Sequence, residues 1–298
     1  MTRKEQWITV LVCFCLLILL TGFGFRKGGT YRPAEAITCA DDLAGRSLGG
    51  VAGRMPASSS KIFFESLTGR KLSSYKAYGD MDEAVYALKS GQVSAIWTTD
   101  VTADYLMTAD DTIIEIDSAG MADIQTNAET RFDFGMAAPN TEEGKALTDS
   151  INECLDYLES IGRLGELRND YIVNAQTVDK FTPSDMAIRG QKYKDCIYVG
   201  ITGAVPPVEL IDELGRPYGY CVALMDNIGQ LLQKDVEFVV LGNETAFSGL
   251  MAGRVDLVFC YGAGNTTLES SRAWCMTRGY LPMENYRFLT LKAADKTE

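Results

Sequence analysis

The chain has 298 residues, 46% of them hydrophobic, which is enough for one large domain or two of ordinary size with real apolar cores. No histidine occurs, and this removes Ser-His-Asp, Cys-His and histidine-ligated metal chemistry together. The net charge is −12, and because Arg3, Lys4, Arg26 and Lys27 outweigh Glu5 at the start, everything after residue 29 is more acidic still, which argues against nucleic acid or an anionic membrane surface as partner.

In chain order, the first feature is the uncharged run ITVLVCFCLLILLTGFGF at residues 8–25, with basic residues on both sides. Its length suits an uncleaved signal anchor better than a signal-peptide core, and both remain open for residues 1–29. Either way the rest of the chain is expected outside the cytoplasm, tethered to the cytoplasmic membrane or secreted. Cys13 and Cys15 lie inside the run. Cys39, Cys154, Cys196, Cys221, Cys260 and Cys275 are scattered with no C-x-x-C pair and read as small apolar thiols, with one or two disulfides as the alternative.

A turn at Leu43–Gly45 leads into a strand over Ser47–Val51. Residues 58–67 and 81–90 have helical patterns, VSAIW is a buried strand, and a helix begins near Asp100. FDFGMAAP (Phe132–Pro139) reads as a further strand. It is followed by a helix with Leu147, Ile151, Leu155 and Leu158 on one face, a break at Gly162 and a short helix. Residues 174–194 are polar and aperiodic, and are read as a linker or hinge. Then come the strand CIYVGIT, a hairpin turning at Leu214–Arg216, the helix CVALMDNIGQLLQK, the strand VEFVVL, the helix ETAFSGLMAG, the strand VDLVF and a last apolar run, YRFLTLK. Strands alternating with helices predict two α/β lobes, each with a largely parallel sheet, over 37–173 and 195–292.

The lobes repeat a motif. ALKSGQVSAIW (Ala87–Trp97) returns as GLMAGRVDLVF (Gly249–Phe259), a helix stopped at Gly91 or Gly253 and followed by a strand. Upstream, SLGGVAG (Ser47–Gly53) parallels YVGITGAV (Tyr198–Val205) in the same order. Ligands in such sheets sit beyond the carboxyl ends of the strands. Those ends are the turns after Val51 and Ile201, together with Thr98–Asp100 and Cys260–Gly264.

VGITGAVPPVELIDELGRPYGYCVALMDNIGQLL resembles the opening of an extracytoplasmic solute-binding protein of the type II, family 3 class, the amino-acid-binding subunits of ABC importers. LMAGRVDLVF resembles that family's strand entry, and DDLAGRSLGGVAG, ALKSGQVSAIWTTD and FDFGMAAP with its following helices resemble its second lobe. The family's second lobe comes first here, which reads as a circular permutation joined through residues 174–194, the alternative being half of one protein fused to half of another with each lobe pairing with a different chain. The resemblance implies a two-lobed type II periplasmic-binding-protein fold that closes on a small polar solute, an amino acid by default, for an ABC permease or a membrane sensor. It implies no enzyme activity, cofactor or metal.

Carried over position by position, the resemblance places Thr202, Gly203, Val205, Tyr261, Gly262 and Arg272 on the late wall of the cleft and Gly53, Arg54, Thr99 and Asp100 on the early wall. Arg is suited to a carboxylate, and helix-start amides to an anion. Arg272 sits farther from Thr267 than the family's Thr-x-x-Arg spacing, and is either the carboxylate ligand or a surface residue. Arg54 is either a ligand or part of a solvated loop. Asp100 serves equally as an amine ligand or a helix cap. Val205 and Val208 stand where the family has aromatics, and Cys221 and Ala223 where it has acids. An alternative follows: a bilobal interaction module that has lost small-molecule binding.

Overall fold

The computed structural model describes residues 36–51, 57–118, 132–175, 193–242, 246–263, 273–283 and 286–293. A short 3-10 helix at Ala40–Leu43 leads into β1 (Ser47–Val51), α1 (Ala57–Thr68), β2 (Ser74–Tyr78), α2 (Met81–Lys89), β3 (Ala95–Thr99), α3 (Asp100–Ala109) and β4 (Ile113–Glu115). The chain continues through β5 (Phe132–Pro139), α4 (Glu142–Ser160), α5 (Arg163–Arg168) and a π-helical turn at Asn169–Val173. After the linker come β6 (Cys196–Ile201), β7 (Leu210–Ile211), β8 (Pro217–Tyr218), α6 (Tyr220–Leu232), β9 (Asp235–Val240) and α7 (Ala246–Met251). The last strands are β10 (Leu257–Ala263), β11 (Trp274–Met276), β12 (Leu281–Met283) and β13 (Tyr286–Leu291).

The repeated motif is repeated in three dimensions. Gly91 and Gly253 both adopt the left-handed conformation, with φ of 72° and 69°, and each ends its helix. The backbone bonds at the two ends correspond: Gly91 N–H to Leu88 C=O at 3.0 Å and Gly253 N–H to Leu250 C=O at 3.1 Å, then Gln92 to Ala87 and Arg254 to Gly249. The next residues dock on the central strands in the same way, Ser94 N–H on Ser47 C=O and Asp256 N–H on Tyr198 C=O. The Val after each corner, Val93 or Val255, then packs where Gly49 or Gly200 leaves no side chain. A Cβ on Gly49 would lie 3.3 Å from Val93, and one on Gly200 would lie 3.4 Å from Val255.

The sheets carry the same order. The first is β2-β1-β3-β13-β4; the second, read in the matching direction, is β9-β6-β10-β5-β11, with β12 also pairing with β5. In each, the first three strands run parallel, the fourth runs against them and the fifth, antiparallel to the fourth, returns to their direction, so the sheets are mixed where largely parallel ones were expected. The fourth strand is exchanged. β5, from the early half of the chain, pairs with β10, and β13, from the late half, pairs with β3.

The lobes therefore depart from the expected ranges of 37–173 and 195–292. Residues 132–173 build onto the second sheet, and 286–291 complete the first. The reason is burial: Phe134, Met136, Ala137 and Ala138 of β5 are all 2% exposed or less, which requires cover on both faces of the second sheet. One face receives Ile151, Leu155 and Leu158 of α4 with Leu224 and Ile228 of α6, and the other receives Ala246 and Leu250 of α7. The first sheet is likewise covered on both sides, by Phe64 and Leu67 of α1 and by Ala84 and Leu88 of α2 with Leu106 of α3.

Cys39, Cys154, Cys196, Cys221 and Cys275 are not joined in disulfides, and Cys154, Cys221 and Cys275 are buried in apolar surroundings. The apolar run at residues 8–25 lies outside the described residues, as does nearly all of the linker. Among the described residues no helix is long and apolar enough to cross a membrane.

Candidate functional site

Because both sheets share one strand order, each presents the carboxyl ends of its parallel strands and the starts of the following helices on one edge. On the early lobe, β3 runs straight into α3. Thr99 is 5% exposed, and its hydroxyl accepts the N–H of Thr102 at 3.3 Å, which makes it the helix cap. Asp100 follows as the first helical residue, and its carboxylate accepts the N–H of Val101 at 2.9 Å. At the start of α2, Asp80 accepts the N–H of Glu83 at 2.8 Å while the Glu83 carboxylate reaches back to the N–H of Gly79, also at 2.8 Å. Asp82 sits beside this cap. Burial, and then the neighbouring Asp80, push its carboxyl above the ordinary value.

On the late lobe, β6 ends in the turn that carries Thr202, Gly203 and Val205. Gly203 is left-handed, with φ of 68°. The next residues, Ala204, Val208 and Glu209, are buried. The β7–β8 hairpin then projects from the wall. Asp212 holds its turn, accepting the N–H of Leu214 at 2.9 Å, the N–H of Arg216 at 2.7 Å and the Arg216 Nε–H at 2.7 Å. These bonds, that from the Arg216 backbone foremost, hold the Asp212 carboxyl below its usual range. Tyr261 and Gly262 lie near the end of β10, where the register with β5 shifts between Tyr261 and Ala263.

Two observations bring the walls together. Val101, from the start of α3, is 7% exposed and belongs to the same buried apolar cluster as Val208, Tyr220 and Leu224 of the late lobe, with Val205 packed against that cluster. Tyr218 of the hairpin has its hydroxyl pushed up by burial and then by Tyr105, Asp212 and Asp82, so it lies within electrostatic reach of the middle of α3 and the start of α2. Of the predicted residues, the structure thus brings Thr99 and Asp100 toward the wall that holds Thr202, Gly203 and Val205. Arg272, Gly53 and Arg54 lie outside the described residues.

Trp97 takes a core role. Its indole tilts on Phe64 at 4.7 Å between ring centroids, meets Tyr286 edge-on at 5.1 Å and donates its Nε1–H to the Tyr75 hydroxyl at 2.8 Å. Among the described residues no group of three or more Cys, Asp or Glu is arranged to hold a metal ion.

Glu209 was not anticipated. It is 5% exposed, Thr202 gives it both its N–H, at 3.2 Å, and its hydroxyl, and its own N–H donates to the Val205 carbonyl at 2.9 Å. Burial pushes its carboxyl up, while the Thr202 hydroxyl and the amides of Thr202, Ala204 and Gly203 pull it back. The available signal was an acidic residue inside the apolar run VPPVELI.

Residues 197–295, about a third of the chain, match the family described as bacterial extracellular solute-binding proteins, family 3. Over that stretch the chain resembles these proteins, and the stretch is part of a mixed α/β architecture of two sheets. No curated protein sequence matches the chain. Among solved structures, it is similar to the zinc-bound ligand-binding component of an ABC-type import system from Staphylococcus aureus, with 7% identity, a TM-score of 0.40 and coverage of 83% of this chain and 65% of that one. The chain therefore spans just under two-thirds of that relative's length. It is also similar to a periplasmic binding protein of an arginine transport system from Legionella pneumophila, with 8% identity, a TM-score of 0.42 and coverage of 83% and 86%. A third likeness is to a periplasmic VFT2 domain of BvgS from Bordetella pertussis, with 8% identity, a TM-score of 0.39 and coverage of 84% and 82%.

Proposed function

We propose that the chain is an extracytoplasmic solute-binding protein that takes a small polar solute, an amino acid or a relative of one, between its two lobes and presents it to an ABC-type importer or a membrane sensor. The observation that carries this reading is the pair of sheets with one strand order and an exchanged fourth strand. That arrangement sets two rows of strand ends and helix starts on opposite sides of one cleft, joined by the passages from β4 to β5 and from β12 to β13. Two lobes linked in this way close by a hinge movement. The reversed order of the lobes is a circular permutation in this account, with residues 174–194 joining what were the two ends, and residues 8–25 supply the tether. The reading involves no enzymatic step.

A second reading, a bilobal interaction module, draws on the apolar lining of the closed walls, where Val101, Val205 and Val208 meet. A thermal-shift screen of the full chain against amino acids, polyamines, small carboxylates and sugars separates the two. A solute at about a hundred times its Kd stabilises the folded state by about 2.7 kcal/mol, or several degrees at this size. Solute capture predicts such a shift for one chemical class, reduced in Asp100→Ala and Arg272→Ala. A cooperative melt indifferent to the whole panel contradicts it and selects the interaction module.

A further inference from the structure

The turn after β6 is built as an anion nest. Successive backbone amides on either side of a left-handed residue converge on one point and form a concavity suited to negative charge. Here the left-handed residue is Gly203, and the donors at the seat are the amide and hydroxyl of Thr202, with the Ala204 amide bonded to the same hydroxyl oxygen. A Cβ on Gly203 would lie 3.0 Å from the Ile211 side chain, so both conformation and space reserve the position for glycine. In a cleft that binds solutes, such a nest at a strand end would be the natural seat for a carboxylate or phosphate.

The seat is filled from within. The chain folds back over five residues so that the Glu209 N–H meets the Val205 carbonyl, and this tether delivers the Glu209 carboxyl into the nest. One of its oxygens accepts the N–H of Thr202 at 3.2 Å and the other takes the Thr202 hydroxyl. The Ala204 N–H also donates to Thr202 Oγ1, at 3.2 Å, and locks the hydroxyl in that orientation. Nest and carboxyl depend on each other. Without Glu209, the half-buried Thr202 amide and hydroxyl lose their acceptor; without the nest, a 5%-exposed carboxyl loses its donors.

We propose that Glu209 is a specificity-determining residue of the cleft: it occupies the Thr202 amide and hydroxyl, so the late wall seats a neutral or cationic solute group there and refuses an anionic one. This rests on the reading of the cleft as a solute site. The Thr202 hydroxyl, its proton committed to Glu209, offers a solute an acceptor and no donor.

Formate, the smallest carboxylate, serves as the probe. The full chain and its Glu209→Gly variant are melted in sodium formate and in sodium chloride at matched ionic strength. The expected result is a variant that melts several degrees lower in chloride and regains part of the loss in formate, beside a native chain for which the two salts are equivalent. Formate stabilising the native chain as much as the variant, or a folded variant indifferent to formate, overturns the proposal. Hydrogen exchange of the unaltered chain tests the same point without a variant: the amide of Thr202 is expected to exchange as slowly as those of β6, and exchange at the rate of an open turn contradicts its engagement by Glu209. Neither readout needs the natural solute, so failure here refutes the role of Glu209, whereas failure of the solute screen refutes solute capture.

Discussion

The two lobes share a strand order and a helix–glycine–strand corner, yet they finish the edge that faces the cleft differently. The early lobe ends β3 in a helix capped by Thr99, with Asp100 and Asp82 beside the opening. The late lobe ends β6 in a turn sealed by a buried glutamate. At the packed corners the copies repeat the same backbone bonds and the same left-handed glycine; at the strand ends they diverge. The corner positions are set by sterics that leave few solutions, whereas the strand ends are free to differ.

The exchange of β5 and β13 makes this comparison testable as a single unit. Leu48→Ala in the first sheet and Leu155→Ala on α4, both at 0% exposure, are each expected to cost about 2–5 kcal/mol. Because each lobe contains a strand from the other half of the chain, either substitution should lower one shared melting transition. Calorimetry that resolves two transitions, only one of them moved, would break the picture of interlocked lobes.

A smaller difference is expected at the central strands. A Cβ on Gly50 would come within 2.0 Å of the Trp97 Nε1, part of a rigid ring, whereas one on Gly200 would meet the Leu241 Cδ1 at 2.7 Å, the end of a side chain able to turn. Gly50→Ala should therefore cost about 3 kcal/mol and Gly200→Ala nearer to 1 kcal/mol, as read by urea denaturation. Equal costs would show that the indole yields as readily as the leucine. The corner glycines should behave alike: both are left-handed, Gly253→Ala finds open space for the new methyl group, and each substitution costs about 1–2 kcal/mol from the left-handed backbone. A marked inequality would mean that the two corners are not the same device.

The smallest effect belongs to the early lobe under acid. The Lys89 ammonium beside Asp110, and then Thr112, lower the carboxyl of Asp110 from 3.8 to about 2. A depressed carboxyl adds stability above its unfolded value and loses it as the pH falls through the folded one. Asp110→Asn should therefore cost less than about 1 kcal/mol near neutrality, since the pair is partly exposed. The gap from the native chain should narrow below pH 3.8 and close near pH 2. A gap that stays constant across that range would assign the cost to packing.

Most elements were legible because their signals are local. Apolar runs bounded by glycine marked β1, β3, β6 and β10, and spacing marked the buried face of α4 at Ile151, Leu155 and Leu158. The exchange of strands was not legible, since nothing in FDFGMAAP or YRFLTLK says which sheet will accept it. That choice is made by covering helices far away in sequence. β2 escaped notice because SYKAY is an edge strand without a fully buried residue. At the site, Thr99 and Asp100 were found from their place after a strand, but their capping roles follow from a helix start and do not by themselves identify a ligand. Glu209 was hidden because its partners are backbone amides, which every sequence contains.

Solute capture between interlocked lobes predicts that the distance between the lobes changes when the solute arrives. Spin labels attached through unnatural amino acids at the exposed positions Tyr86, on α2, and Leu214, at the tip of the late hairpin, would report that distance by pulsed dipolar spectroscopy. The account predicts a distribution that includes a longer, open population in the unliganded chain and contracts to a single shorter distance with the solute that raises the melting point. One distance that no solute in the panel alters would contradict it.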